Sequence, residues 1–257
     1  MTLIPAKTAT GTVTALPPAV PVAIAVSWLV ILGAQVWGVS EAVHHDALVE
    51  GDLPLWASVG LFILAWQSMT AAMMLPTSLP MVRLFNATSR SQPDRAAVNA
   101  LFLLAYAVVW TGFGIVAFFG DVGLHRVVDA TPWLEARPWV VSAAVLALAG
   151  AFQFSPLKDK CLHVCQHPAV FMWRHYRRGR WAAFEIGLRH GMFCLGCCWA
   201  LMLVMFAVGV ANLVWMAALT ALMVYEKTGR LSKEIVRAAG LGLLLMAAVM
   251  VASGAGT

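Results

Sequence analysis

Seven apolar stretches, separated by short polar or charged segments, constrain this chain more than anything else in it. They cover residues 21–40, 53–76, 98–120, 139–154, 182–209, 212–225 and 235–253. A helix needs about 20 mostly apolar residues to cross the hydrocarbon core of a bilayer. In lipid every backbone polar group must be satisfied internally, so spanning segments are helices or closed barrels. Runs this long and unalternated argue for helices. The expected fold is therefore all-α, a polytopic transmembrane helix bundle of about seven helices. If the last two stretches form one re-entrant hairpin, the count is six. Composition agrees: 61% of the residues are hydrophobic and 11% are charged, against roughly 25% charged in soluble domains. A solvated surface cannot be built from so few charges, and the lipid bilayer is the expected environment.

The segments between the runs alternate in charge. "EAVHHDALVEGD" (41–52) is acidic and lacks Lys and Arg, and 121–138 is mixed. The segments 83–95, 158–180 and 226–237 are basic. Cytoplasmic loops collect Lys and Arg, which places these three inside, 41–52 and 121–138 outside, and the N-terminus inside. The net charge of +5 follows from this pattern and points to no nucleic-acid partner. The start of the chain lacks the long apolar core and cleavage site of a secretory signal, so the first run reads as a retained span. The expected organisation is a cytoplasmic tail over 1–20 and a single transmembrane domain over 21–254.

The fifth apolar run carries "HGMFCLGCCWALM" (190–202), with three of the five cysteines of the chain. Residues three and four apart share a helix face, so His190, Cys194, Cys197 and Cys198 form one stripe, which Met202 and Met205 extend. Thiolate, thioether and imidazole select Cu(I), and thiolate with imidazole also suits zinc. Counting about 1.5 Å per residue from Ala182 puts Cys194 some 18 Å into the helix, near the bilayer midplane. The competing reading is packing, because Cys behaves as a small hydrophobe. Gly187, Gly191 and Gly196 on the same run favour close helix contact.

A second group lies in the basic segment, where "CLHVCQH" alternates Cys161, His163, Cys165 and His167. If this is helical, the two Cys share one face and the two His another; if extended, all four share a face. Neither group resembles a secreted disulfide framework. Three further sets are candidates by residue type. Met69, Met73 and Met74 lie in "WQSMTAAMMLP" (66–76). His44 and His45 lie between Glu41 and Asp46. Asp121 and His125 stand one helical turn apart.

The strings "AWQSMTAAMMLP", "WTGFG", "FSPLKDKCLHVC" and "GLRHGMFCLGCCWALM", with "GVANLVWMAAL" and "EK" beyond them, resemble the bacterial family catalogued as domain of unknown function 2182. The resemblance spans roughly residues 55 to 230. It implies a bacterial inner-membrane protein that binds metal, with copper foremost. It maps motif cysteines onto Cys161, Cys165, Cys194, Cys197 and Cys198, and a Met motif onto Met69, Met73 and Met74. Ser155 stands where the family has Thr, and Ala211 where it often has Met; neither change removes a candidate ligand.

Two functions follow. The first is a Cu(I)-handling membrane protein: a carrier, a permease or an assembly helper for a copper enzyme. Its partner would be a periplasmic or cytoplasmic copper-handling protein. The alternative is a membrane thiol–disulfide oxidoreductase using the CxxC at 194–197. A structural subunit with no ion would tolerate replacement of every cysteine.

Overall fold

A computed structural model describes residues 16–38, 53–208 and 212–254. The described residues form ten helices: α1 Ala19–Val36, α2 Leu55–Thr88, α3 Arg95–Asp129, α4 Pro132–Glu135, α5 Trp139–Phe152, α6 Pro156–Gln166, α7 Pro168–His175, α8 Arg180–Val208, α9 Leu213–Thr228 and α10 Ser232–Gly254. The protein is an all-α bundle, and each apolar stretch of the sequence carries a helix. Five helices (α1, α2, α3, α8 and α10) are each long and apolar enough to cross a membrane. The pair α5 and α6, bent by 63° at the break between them, makes a sixth if taken as one span. α9 has 16 residues, about 24 Å of helix, and is shorter than the roughly 30 Å hydrocarbon core.

Three boundaries differ from the sequence reading. α2 does not stop at Pro76 but runs through Pro76 and Pro80 to Thr88. Proline removes a backbone donor and frees the carbonyl four residues earlier. The carbonyl freed by Pro76 is that of Ala72, and it accepts from the Trp28 indole of α1 at 3.2 Å. The Thr77 hydroxyl donates to the Met74 carbonyl at 2.8 Å. Compensation of this kind lets proline persist inside a span, and it docks α1 on α2. α3 likewise continues to Asp129, so much of the segment 121–138 is helix rather than loop. The basic segment 158–180 also folds, into α6, α7 and a short connection. α6 begins because Pro156 takes the first helical position and the Ser155 hydroxyl accepts from the Lys158 backbone N–H.

Small residues set the tightest contacts. A Cβ on Gly187 would stand 2.3 Å from the Phe102 carbonyl oxygen, and one on Gly191 would stand 3.0 Å from Val109. α8 therefore lies almost backbone to backbone against α3, as glycine faces allow in membrane bundles. A Cβ on Gly114 would strike the Trp66 ring, whose indole donates to the Trp110 carbonyl at 2.8 Å. These contacts hold α2, α3 and α8 around one buried core, with α6 and α9 closing one end of it.

Candidate metal centre

Cys194, Cys197 and Cys198 point inward from α8 and are buried, as their spacing requires. The Cys197 and Cys198 thiols donate back to the Cys194 carbonyl, at 3.0 and 2.8 Å. Cys198 also meets α2: its sulfur lies 3.6 Å from the Met74 thioether. Cys165, from α6, is buried in the same core cluster as Cys197. Cys161 presses on Gly196, where a Cβ would lie 2.7 Å from its sulfur. The glycine inside "CLGCC" is thus the gap that admits the second cysteine group. Five cysteines, all free, and one methionine are gathered from α2, α6 and α8.

The second group is helical, so Cys161 and Cys165 share the buried face while His163 and His167 stack on the exposed face, with ring centroids 4.3 Å apart. These cysteines are not a solvent-facing pair in a loop. They belong to the same interior as the α8 cysteines.

Three polar side chains converge on the Cys194 sulfur, with Thr77 behind one of them, and the sequence singled out none of these as a site residue. The Lys227 ammonium, from the last turn of α9, donates to it at 3.1 Å and to the Thr77 hydroxyl at 2.8 Å. The Tyr106 hydroxyl lies 3.1 Å from the same sulfur, and Ser78 lies 3.9 Å from it. Lys227 is 6% exposed. Its chain neighbour Glu226 is held by Lys158 of α6 at 2.8 Å, both almost fully buried. Lys158 and Lys227 therefore do not contribute to the surface charge of the two basic segments that contain them.

His190 lies one turn before Cys194, with its ring between those of Phe102 and Tyr106. It is buried, and neither ring nitrogen has a hydrogen-bond partner. Buried polar atoms are almost always satisfied, so an unpartnered imidazole beside a thiol cluster is poised for a ligand.

The count that put the cluster near the midplane starts from Ala182. That count treated Glu185 and Arg189 as part of the apolar span. They form an ion pair at 2.9 Å, and Arg189 is exposed. Cys194 follows Arg189 by five residues, about 7.5 Å of helix. Cys194 is thus at the middle of the 29-residue α8, toward the charged side of the apolar stretch that follows Arg189.

Met69 and Met73 are buried in the same core as the cysteines. Asp121 and His125 share a face of α3, with His125 Nδ1 3.8 Å from the Asp121 carboxylate. They lie 15 or more residues beyond Tyr106, about 22 Å along the helix. His44 and His45, with Glu41 and Asp46, lie outside the described residues. Among the described residues no three His, Cys, Asp or Glu side chains already surround one metal position. Two of the three α8 thiols are turned onto the Cys194 carbonyl, so a metal shell requires them to rotate off it.

The donor set fits a soft monovalent ion. Thiols and a thioether are the groups that favour Cu(I), and the one carboxylate nearby, Glu226, is occupied by Lys158. The PpoB2 family, described as "Copper chaperone", matches residues 63–250, which include every member of the cluster. No curated protein and no solved structure matches the chain.

Proposed function

The chain belongs to the PpoB2 family of copper chaperones, and from that premise we propose that it receives Cu(I) in the buried Cys/Met cluster and passes it to a copper-handling partner. The observation that carries this reading is the burial of Cys194, Cys197 and Cys198 with Met74 and Cys165 in one core, where Cys198 touches Met74. Cys194 and Cys198 supply thiolates and Met74 a thioether, with His190 one turn away as a further ligand. Cu(I) on two thiolates is compact and weakly charged, so it tolerates a low-dielectric site where a bare cation does not. Cys161 and Cys165 provide the next sulfurs, so the ion moves by stepwise thiol exchange toward α6. The setting we assign is the bacterial inner membrane, with the basic segments on the cytoplasmic side.

The test is to load the purified full-length protein anaerobically with Cu(I), wash it, and measure metal by elemental analysis and free thiols before and after reduction. At least one copper per chain is expected, with no retention of Mn(II) or Mg(II), which prefer oxygen ligands. A folded protein that retains no copper would sink the reading. A reducible disulfide in its place would favour the thiol–disulfide oxidoreductase.

A further inference from the structure

Lys227 poses a physical question that copper binding alone leaves open. A buried ammonium is costly unless it is paired. No carboxylate contacts this one: its partners are the Thr77 hydroxyl and the Cys194 sulfur. The adjacent carboxylate, Glu226, is tied to Lys158. The fold thus supplies two lysines and one carboxylate to the same interior, and spends the carboxylate on the other lysine. The cationic end of Lys227 is aimed at a sulfur that the copper reading treats as a metal ligand.

We propose that Lys227 is the counter-cation of the metal centre and determines its preference for a monovalent over a divalent ion; this rests on the Cys194/Cys198 site being the one that binds copper. The argument is charge balance. Cu(I) with two thiolates carries a net charge of −1, and the Lys227 ammonium brings the assembly to zero. Zn(II) with the same two thiolates is neutral, as the two protonated thiols are, so binding it leaves the Lys227 charge as uncompensated as before. The same lysine therefore stabilises the Cu(I) complex and gives the Zn(II) complex no such gain. Thr77 accepts a second hydrogen bond from the ammonium at 2.8 Å, which helps fix it beside the sulfur. A simple packing role for Lys227 predicts no such difference between the two metals.

The experiment uses the full-length protein in detergent under anaerobic conditions. Cu(I) affinity is measured by competition with bicinchoninate, and Zn(II) affinity by competition with pyridylazoresorcinol. Wild type is compared with Lys227→Met and Lys227→Gln, which remove the charge, and with Lys227→Arg, which keeps it. A unit charge some 5 Å from the metal at an effective dielectric constant of about 20 is worth roughly a hundredfold in affinity. Both neutral variants are expected to lose roughly that factor for Cu(I) and to change little for Zn(II), while Lys227→Arg keeps the wild-type order. An unchanged Cu(I) affinity in the neutral variants, or equal losses for both metals, would overturn the role of Lys227 and leave the copper site standing. Failure of both neutral variants to fold while Lys227→Arg folds would also overturn it, because the lysine would then be structural. A wild-type protein that binds no Cu(I) removes the copper reading itself, and this proposal with it.

Discussion

The Lys158–Glu226 pair lets the physics of the interior be tested without any metal. Its ammonium and carboxylate are 2.8 Å apart, with 1% and 2% of the side chains exposed. At an effective dielectric constant of about 20 their attraction is about 6 kcal/mol. Removing two ions from water costs several kcal/mol each, so the pair as a whole contributes little net stability. Removing one partner is different. Lys158→Met strips Glu226 Oε2 of its donor, and Oε1 has no hydrogen-bond partner already. An uncompensated buried charge then costs about 3–5 kcal/mol, or about 10 °C in melting temperature for a chain of this size. The double variant Lys158→Met with Glu226→Leu removes both charges and should return to within about 1–2 kcal/mol of wild type. Thermal unfolding in detergent, followed by circular dichroism, measures all three. A Lys158→Met protein as stable as wild type would refute the reasoning. So would a double variant no more stable than the single.

Gly196→Ala should cost about 1–3 kcal/mol by overpacking, because its Cβ would stand 2.7 Å from the Cys161 sulfur; Cys161→Ala in the same chain should restore the melting temperature, and additive losses would contradict the contact. Topology is best read from Lys160 and Lys233, which are exposed, whereas Lys158 is buried and reports on neither side. An impermeant amine reagent should miss both exposed lysines in intact spheroplasts and label them after lysis. Labelling from outside would reverse the assigned orientation.

The half of the site that lies on one helix was legible in the sequence. The spacing of His190, Cys194, Cys197 and Cys198 obliges one face whatever surrounds it, and the alternation of Cys161 and Cys165 with His163 and His167 resolves once α6 is seen to be helical. Met74 was legible by type but not by contact. Lys227, Tyr106 and Ser78 were not legible, because they reach Cys194 from three different helices and nothing local marks the pairing, and Thr77 is tied in only through Lys227. Lys227 read as one more cation in a basic segment. The available signal was "EK" closing an apolar run just before Gly229, which let α9 carry both residues inward in its last turn. The path of α2 through Pro76 and Pro80 was hidden for a similar reason: its compensation comes from Trp28, 44 residues away. The seven apolar stretches, by contrast, specified the all-α bundle directly, since hydrophobic length is a local property.

The central claim is that the α8 cysteines hold copper, and the direct measurement is copper per protein in the variant Cys194→Ser, Cys197→Ser, Cys198→Ser. Serine is nearly isosteric with cysteine and bonds back to the helix carbonyl one turn earlier, as Cys197 and Cys198 already do. Insertion and abundance should therefore survive. What disappears is thiolate character, which a hydroxyl does not replace at Cu(I). The account predicts normal membrane abundance with bound copper reduced to a small fraction of wild type, and a smaller loss when only Cys161 and Cys165 are changed to Ser. Wild-type copper content in the triple variant would contradict it, and the cysteine stripe would then be packing alone.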